Sequence, residues 1–148
     1  PGILELRGRY VNDPYVVGLN DNMVSLNTAI SVDLTGQVVS EAIGTQQYSG
    51  PGGQLDTHRG AIRSKNGKGI IALRSTAKKG TISTIVPMLD PGAPITVPRH
   101  DLDYVVTEWG IVHLRGRSAG ERAKQLISIA HPNFRKELED KAKEMRLI

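Results

Sequence analysis

The chain has no cysteine, only one Trp, four Tyr and one Phe among 148 residues, and no apolar run near bilayer length. Without cysteine there is no disulfide framework, no thiolate metal site and no cysteine nucleophile, so any chemistry must use oxygen or nitrogen groups. The four histidines, His58, His100, His113 and His131, never sit four residues apart. That spacing leaves no helical metal pair, and no metal is expected. The scarcity of aromatic rings removes a stacking platform for single strands, and the basic residues are dispersed, so no nucleic-acid partner is expected. A local basic excess between Arg59 and Lys79 suits a phosphate-bearing small molecule better. A membrane helix needs about 20 apolar residues and a signal segment needs a basic-then-apolar start. Neither pattern is present, and a cytoplasmic protein with no membrane partner is expected. Pro1, with no Met before it, reads as the start of a cut or trimmed chain.

What the chain does have is glycine in one concentrated place. Tyr48-Ser49-Gly50-Pro51-Gly52-Gly53-Gln54-Leu55-Asp56 puts three glycines within four positions. It follows an alternating run and precedes a helix-like segment, so its backbone can approach a ligand closely. Spacing excludes two common phosphate loops. Leu55 stands where the dinucleotide fingerprint needs its third glycine, and around Gly67-Lys68 the P-loop pattern meets Ile62 and Gly69 at its glycine and Ser/Thr positions. An ordinary surface turn is the competing reading.

Length and composition suit one domain with a real core. Residues 1–9 lack periodicity. Asn12-Asp13-Pro14 predicts a helix start, with Asn12 or Asp13 as N-cap and an end near Leu19. From Met23 to Leu34 the alternation of Val24, Leu26, Thr28, Ile30, Val32 and Leu34 with polar neighbours predicts one strand with one buried face. Thr35-Gly36 then turns the chain into a returning strand, Gln37 to Ile43. A helix over Gln54 to Ser64 follows the glycine loop. Gly69 to Leu73 reads as a strand covered on both faces. Thr81 to Pro87, Ile95 to Val97 and Asp103 to Thr107 are further strands. Ser118-Ala119-Gly120-Glu121 is a capping box that opens a helix with an Ala123, Leu126, Ile127, Ala130 stripe. His131-Pro132 starts a final helix with Phe134, Leu138, Ala142 and Met145 at helical spacing. The fold class is therefore α/β, a mixed β-sheet flanked by helices.

Among ionisable groups, Glu108 follows the apolar strand Tyr104-Val105-Val106 and so sits at a strand's carboxyl end, where open α/β sheets place ligands. A salt bridge to Arg115 or Arg117 is its alternative role. Glu41 is a weaker candidate, Asp56 reads as a helix cap, and Ser49, His58 and Asp56 form a triple without the G-x-S-x-G context of a hydrolase elbow.

Six ordered blocks carry a wider likeness: N-D-N-M-V-S-L-N-T-A-I-S-V-D-L-T-G-Q-V, Y-S-G-P-G-G-Q-L-D, I-I-A-L-R-S-T-A-K-K-G, I-V-P-M-L-D-P-G, Y-V-V-T-E-W-G-I-V-H-L-R-G-R-S and I-S-I-A-H-P-N-F-R. Over nearly its whole length the sequence resembles the C-terminal domain of the acetyl-CoA hydrolase / class I CoA-transferase family, especially 4-hydroxybutyrate and butyrate CoA-transferases. The resemblance implies a CoA-transferase-type domain with coenzyme A or acyl-CoA as substrate and a short-chain carboxylate as the second partner. It also implies an N-terminal domain of the same enzyme, a homo-oligomer, and ping-pong chemistry through a glutamyl-CoA thioester. The family's nucleophilic glutamate lies upstream of its N-D-P segment, and no such block precedes Asn12. The chain is thus expected to lack its nucleophile and to be inactive alone. By the same resemblance Gly53 is an oxyanion amide and Asn12 and Glu108 orient the reacting carboxylates. Ile30, Ser49, Gly50, Gly52, Gly53 and Lys78 form the coenzyme A contacts. Departures at Thr57, Arg74 and Trp109 bear on acyl preference. An acyl-CoA hydrolase and a non-catalytic CoA-binding module are the alternatives.

Overall fold

The computed structural model describes residues 2–148. Its opening stretch carries a short helix, α1 (Gly8–Val11), that no periodicity announces, because none of its residues is buried. Helix α2 (Pro14–Gly18) begins where expected: the Asp13 side chain accepts the Tyr15 amide at 2.8 Å and Pro14 occupies the first turn.

The run from Met23 to Leu34 is not one strand. It divides into β1 (Val24–Thr28) and β2 (Ser31–Asp33), which belong to different sheets. The buried face also reverses, since Val24 and Leu26 are exposed whereas Ser25 is buried. The pattern gave the period correctly, but which face is covered depends on what packs there. Strand β2 turns at Thr35-Gly36 into β3 (Val38–Val39), its antiparallel neighbour. The returning segment then breaks into β4 (Ala42–Ile43), which pairs with β5 (Gln46–Gln47) in a small hairpin.

After the glycine loop comes α3 (Gln54–Arg63), then β6 (Lys68–Ala72). Strand β7 (Thr76–Ala77) and β8 (Ile82–Ser83) form a hairpin around a 3-10 turn at Lys78–Gly80, and β9 (Ile85–Val86) leaves it to pair in parallel with β2. The expected Thr81 to Pro87 strand is thus divided between two sheets. Ile95 to Val97 contributes only an isolated bridge, Val38 to Val97. Strand β10 (Tyr104–Thr107) turns tightly into β11 (Gly110–His113), which was not expected. The capping box opens α4 (Ala119–Ser128) as read from the sequence, and α5 (Pro132–Glu144) follows.

The principal sheet has the order β1-β6-β10-β11, with β1, β6 and β10 parallel and β11 antiparallel. A second sheet, β3-β2-β9, shares its core: Val32, Val38 and Ile85 pack in one cluster with Ile71, Val105, Leu126 and Leu138. The mixed-sheet α/β class therefore holds. One expectation does not, because β6 is covered on one face only: Gly69 and Ile71 are buried, whereas Ile70 and Ala72 remain half-exposed.

The β2–β3 turn is organised by Asp33, which is 1% exposed. Its carboxylate accepts from the Thr35 amide (2.9 Å) and hydroxyl (2.7 Å), and from the Gln37 amide (2.9 Å) and side-chain amide (2.7 Å). Removing the acceptor strands four donors that water reaches poorly. Asp33→Ala is expected to cost about 2–4 kcal/mol in urea unfolding, and Asp33→Asn less, since one amide oxygen still serves Thr35 and the Gln37 backbone.

Candidate active site

Parallel pairing carries the carboxyl ends of β1, β6 and β10 to one edge of the principal sheet. There Thr28, Ala72, Leu73, Arg74, Val106, Thr107 and Glu108 line an open groove of about 350 Å³. Glu108 is the first residue of the two-residue turn that joins β10 to β11, which lifts its carboxylate onto the rim. Neither Arg115 nor Arg117 pairs with it. Arg115 donates to the Ile62 carbonyl and Arg117 lies 3.7 Å from Glu121.

Ser75 holds Glu108 instead. The Ser75 amide donates to one carboxylate oxygen at 2.9 Å and its hydroxyl to the other at 2.7 Å. Trp109 fixes the direction of that hydroxyl, because its indole N–H donates to Ser75 Oγ at 3.1 Å and leaves the Ser75 proton to point at Glu108. The indole is in turn held edge-on to His131 and under the Arg135 guanidinium. Partial desolvation pushes the Glu108 carboxyl up, but the two Ser75 bonds, with a smaller contribution from Arg74, outweigh it and hold the group below the usual carboxylate range. Glu108 is thus a fixed anion with both oxygens engaged. Sequence reasoning missed Ser75; its only signal was its place just past the end of an apolar strand.

Beside this groove, and sharing Arg74 with it, is a hollow of about 760 Å³ lined by Thr76, Ala77, Lys78, Lys79 and Gly80. Lys78 and Lys79 both adopt left-handed backbone conformations (φ 45° and 57°), unfavourable for residues with a Cβ. The tight turn sets Lys78 and Lys79 side by side at the hairpin tip, where both line the hollow.

The glycine loop leads into α3. Gly53 is the N-cap of α3, and no side chain caps the helix, so its first amides stay open to an anion. Asp56 lies in the first turn but makes no cap bond, contrary to its expected role. Gly53 abuts Asn12 so closely that a Cβ there would lie 2.9 Å from the Asn12 side-chain nitrogen. Gln54 donates to Ser40 Oγ (2.9 Å), and Ser40 Oγ donates to the Thr28 carbonyl (3.2 Å), which ties the loop to the carboxyl end of β1. Ile30 is half-buried at the β1–β2 junction, its amide bonded to the Val39 carbonyl at 2.9 Å. Ser49, Gly50 and Gly52 are exposed on the loop, with Gly52 in a left-handed conformation (φ 56°).

The remaining candidates are structural. Glu41 is buried and accepts from Thr96 (3.0 Å) and Gln47 (3.2 Å). His58 is fully buried and accepts the Asp103 amide at 3.3 Å; burial lowers its pKa despite Asp103, and it touches neither Ser49 nor Asp56. The hydrolase-like triple is therefore not assembled. Among the described residues no three His, Cys, Asp or Glu side chains gather as a metal set, and no helix is long and apolar enough to cross a membrane.

Residues 1–142 match the family model of the acetyl-CoA hydrolase/transferase C-terminal domain. The chain belongs to this family. It is 57% identical over 129 residues to 4-hydroxybutyrate coenzyme A transferase of Clostridium kluyveri, which covers 87% of the chain and 30% of that protein. A succinyl-CoA:cyclohexane-1-carboxylate CoA transferase of Geobacter metallireducens is 55% identical over 94% of the chain and 32% of its own length. Among solved structures, RipA from Yersinia pestis superposes with a TM-score of 0.85 at 50% identity, covering 94% of this chain and 30% of that one. The 4-hydroxybutyrate CoA-transferase of Porphyromonas gingivalis gives 0.73 at 45%, covering 92% and 30%. The domain thus spans about a third of the length of the curated relatives it matches.

The Ser75 clamp has a titratable consequence. A carboxylate whose folded pKa is depressed contributes stability above its ordinary pKa and loses it as pH falls through the depressed value. Exposure of Glu108 keeps that contribution small. Ser75→Ala should move the Glu108 titration upward towards the ordinary range, and Trp109→Phe should move it the same way by less. Carboxyl carbon chemical shifts across a pH series would measure both, and an unmoved titration in Ser75→Ala would remove the clamp.

Proposed function

We propose that this domain is the coenzyme A-handling part of a CoA-transferase, which moves CoA between an acyl-CoA and a free carboxylate of the acetate, butyrate or 4-hydroxybutyrate type. The observation that carries the reading is the clamped Glu108 anion on a groove that shares Arg74 with the Lys78–Lys79 hollow. The pyrophosphate and 3′-phosphate of CoA suit the lysine hollow, and the pantetheine thioester then extends into the groove. Arg74, where the family usually has proline, adds a cation at the junction. Ile30, Ser49, Gly50 and Gly52 line the CoA chain in this reading.

The chemistry starts with a glutamate carboxylate from the part of the enzyme upstream of the Asn12-Asp13-Pro14 segment. One of its oxygens attacks the thioester carbonyl, the C–S bond breaks, and an acyl-glutamyl anhydride forms with CoA thiolate released. The thiolate then attacks the glutamyl carbonyl and expels the acyl group as a free carboxylate, leaving a glutamyl-CoA thioester. A second carboxylate reverses the two steps and departs as the new acyl-CoA. Each step passes through a tetrahedral oxyanion, which requires preorganised donors. The Gly53 amide at the uncapped start of α3 is the proposed donor, with Asn12 orienting the reacting carboxylate. Glu108, with both oxygens committed to Ser75, orients rather than attacks. An acetyl-CoA hydrolase of Kluyveromyces lactis is 35% identical over 80% of the chain. Hydrolysis differs only in admitting water to the glutamyl thioester, and comparing turnover with and without carboxylate acceptor separates the two.

Lys78→Ala is expected to weaken CoA binding about five- to tenfold by calorimetry, as a screened exposed charge would. Gly53→Ala displaces Asn12 and should lower kcat of the full-length enzyme by tenfold or more, with a smaller effect on KM. Unchanged CoA affinity in the first and unchanged kcat in the second would refute the site. Borohydride trapping of the enzyme with acetyl-CoA, followed by peptide mapping, should locate the adduct on a glutamate outside this domain; an adduct on Glu108 would overturn its orienting role.

A further inference from the structure

Side chains alternate between the faces of a sheet. In the principal sheet the two sets fare differently. The set containing Ser25, Ile71, Val105 and Val112 is buried, with Ile71, Val105 and Val112 in the same cluster as Ala123 and Leu126 of α4 and α3 packed over β1 and β6. The other set runs in register across all four strands. Leu26 pairs with Ile70, Thr28 with Ala72, Ala72 with Val106, and Val106 with Ile111. No residue of this set is buried, and Leu26 and Ile111 are 65% and 60% exposed.

Parallel strands are normally covered by helices on both faces, and soluble monomers rarely leave a contiguous apolar patch of this kind open. Among the described residues, β1 also pairs with β6 alone, which leaves its outer edge free. The bare face is continuous with the groove, since Thr28, Ala72 and Val106 belong to both. What covers the face therefore also walls the site beside Glu108. The relatives carry more than twice as much polypeptide outside this domain as within it: the domain accounts for 30% of the C. kluyveri enzyme and 30% of the Y. pestis RipA chain.

We propose that this face is the seat of a helical layer from the N-terminal part of the same enzyme, which packs on Leu26, Ile70, Val106 and Ile111 and closes the groove at the Thr28–Ala72–Val106 end. The seat itself rests on register and burial; only the identity of what the closed groove holds rests on the transferase reading.

The absence of native cysteine from the domain gives a direct probe. Leu26→Cys and Ile111→Cys, made singly, are treated with a small maleimide in the 148-residue chain alone and in the full-length enzyme, and modification at each position is read by peptide mass. Lys143→Cys on the solvent side of α5 is the reference. Labelling at positions 26 and 111 should be fast in the chain alone and at least tenfold slower in the full-length enzyme, with the reference unchanged. In parallel, Leu26→Lys should lower the Tm of the full-length enzyme by several degrees and leave that of the chain alone unmoved. Equal labelling in both forms overturns the proposal. So does protection in the chain alone that grows with concentration alongside a dimeric mass, which would assign the face to a second copy. Protection in a full-length enzyme that neither binds CoA nor transfers it would keep the seat and refute the function.

Discussion

Parallel pairing of β1, β6 and β10 is the constraint on which the rest depends. Parallel strands end on the same side, so Thr28, Ala72 and Thr107 reach one edge, and the segments that follow them diverge from there. The β1–β2 junction carries Ile30, the segment after β6 carries Arg74, Ser75 and the Lys78 turn, and the turn after β10 carries Glu108. Groups up to about eighty residues apart thereby share one rim without any of them needing an unusual local structure.

Hydrogen bonding then converts that proximity into a defined electrostatic arrangement. Ser75 is fully buried yet grips an exposed carboxylate, and Trp109 determines which way its hydroxyl proton points. Both oxygens of Glu108 are committed to one residue, so the anion is held in place and kept ionised. Lys78 and Lys79, a short hairpin away, supply the opposite charge. Fixed dipoles and charges at a partly apolar groove act more strongly than the same groups in water, because little reorganisation is needed when charge develops. The bare sheet face sets the other half of the arrangement, because a groove open on one side cannot exclude water until something packs against it.

Much was legible from residues close in sequence. The Asp13-Pro14 start of α2, the Thr35-Gly36 turn, the start of α3 after the glycine loop and the Ser118–Glu121 capping box all rest on hydrogen bonds within four residues or on local φ preference. The family was also legible, because its blocks preserve residue types in order. Less was legible where alternation alone was used. By alternation Val24 and Leu26 read as an inward face that Ile30, Val32 and Leu34 extend, yet the chain changes sheet between Thr28 and Ser31.

By itself the sequence determined the starts of α2, α3, α4 and α5, the Thr35-Gly36 turn, the glycine loop and the family, since each depends on short-range bonding or on ordered residue identity. Only the tertiary structure decided that Ser25 rather than Leu26 faces the core, that Ser75 and not an arginine holds Glu108, and that one face of the sheet stands open. Those facts are set by partners distant in sequence, 33 residues apart in the case of Ser75 and Glu108, and periodicity carries no information about which distant partner arrives.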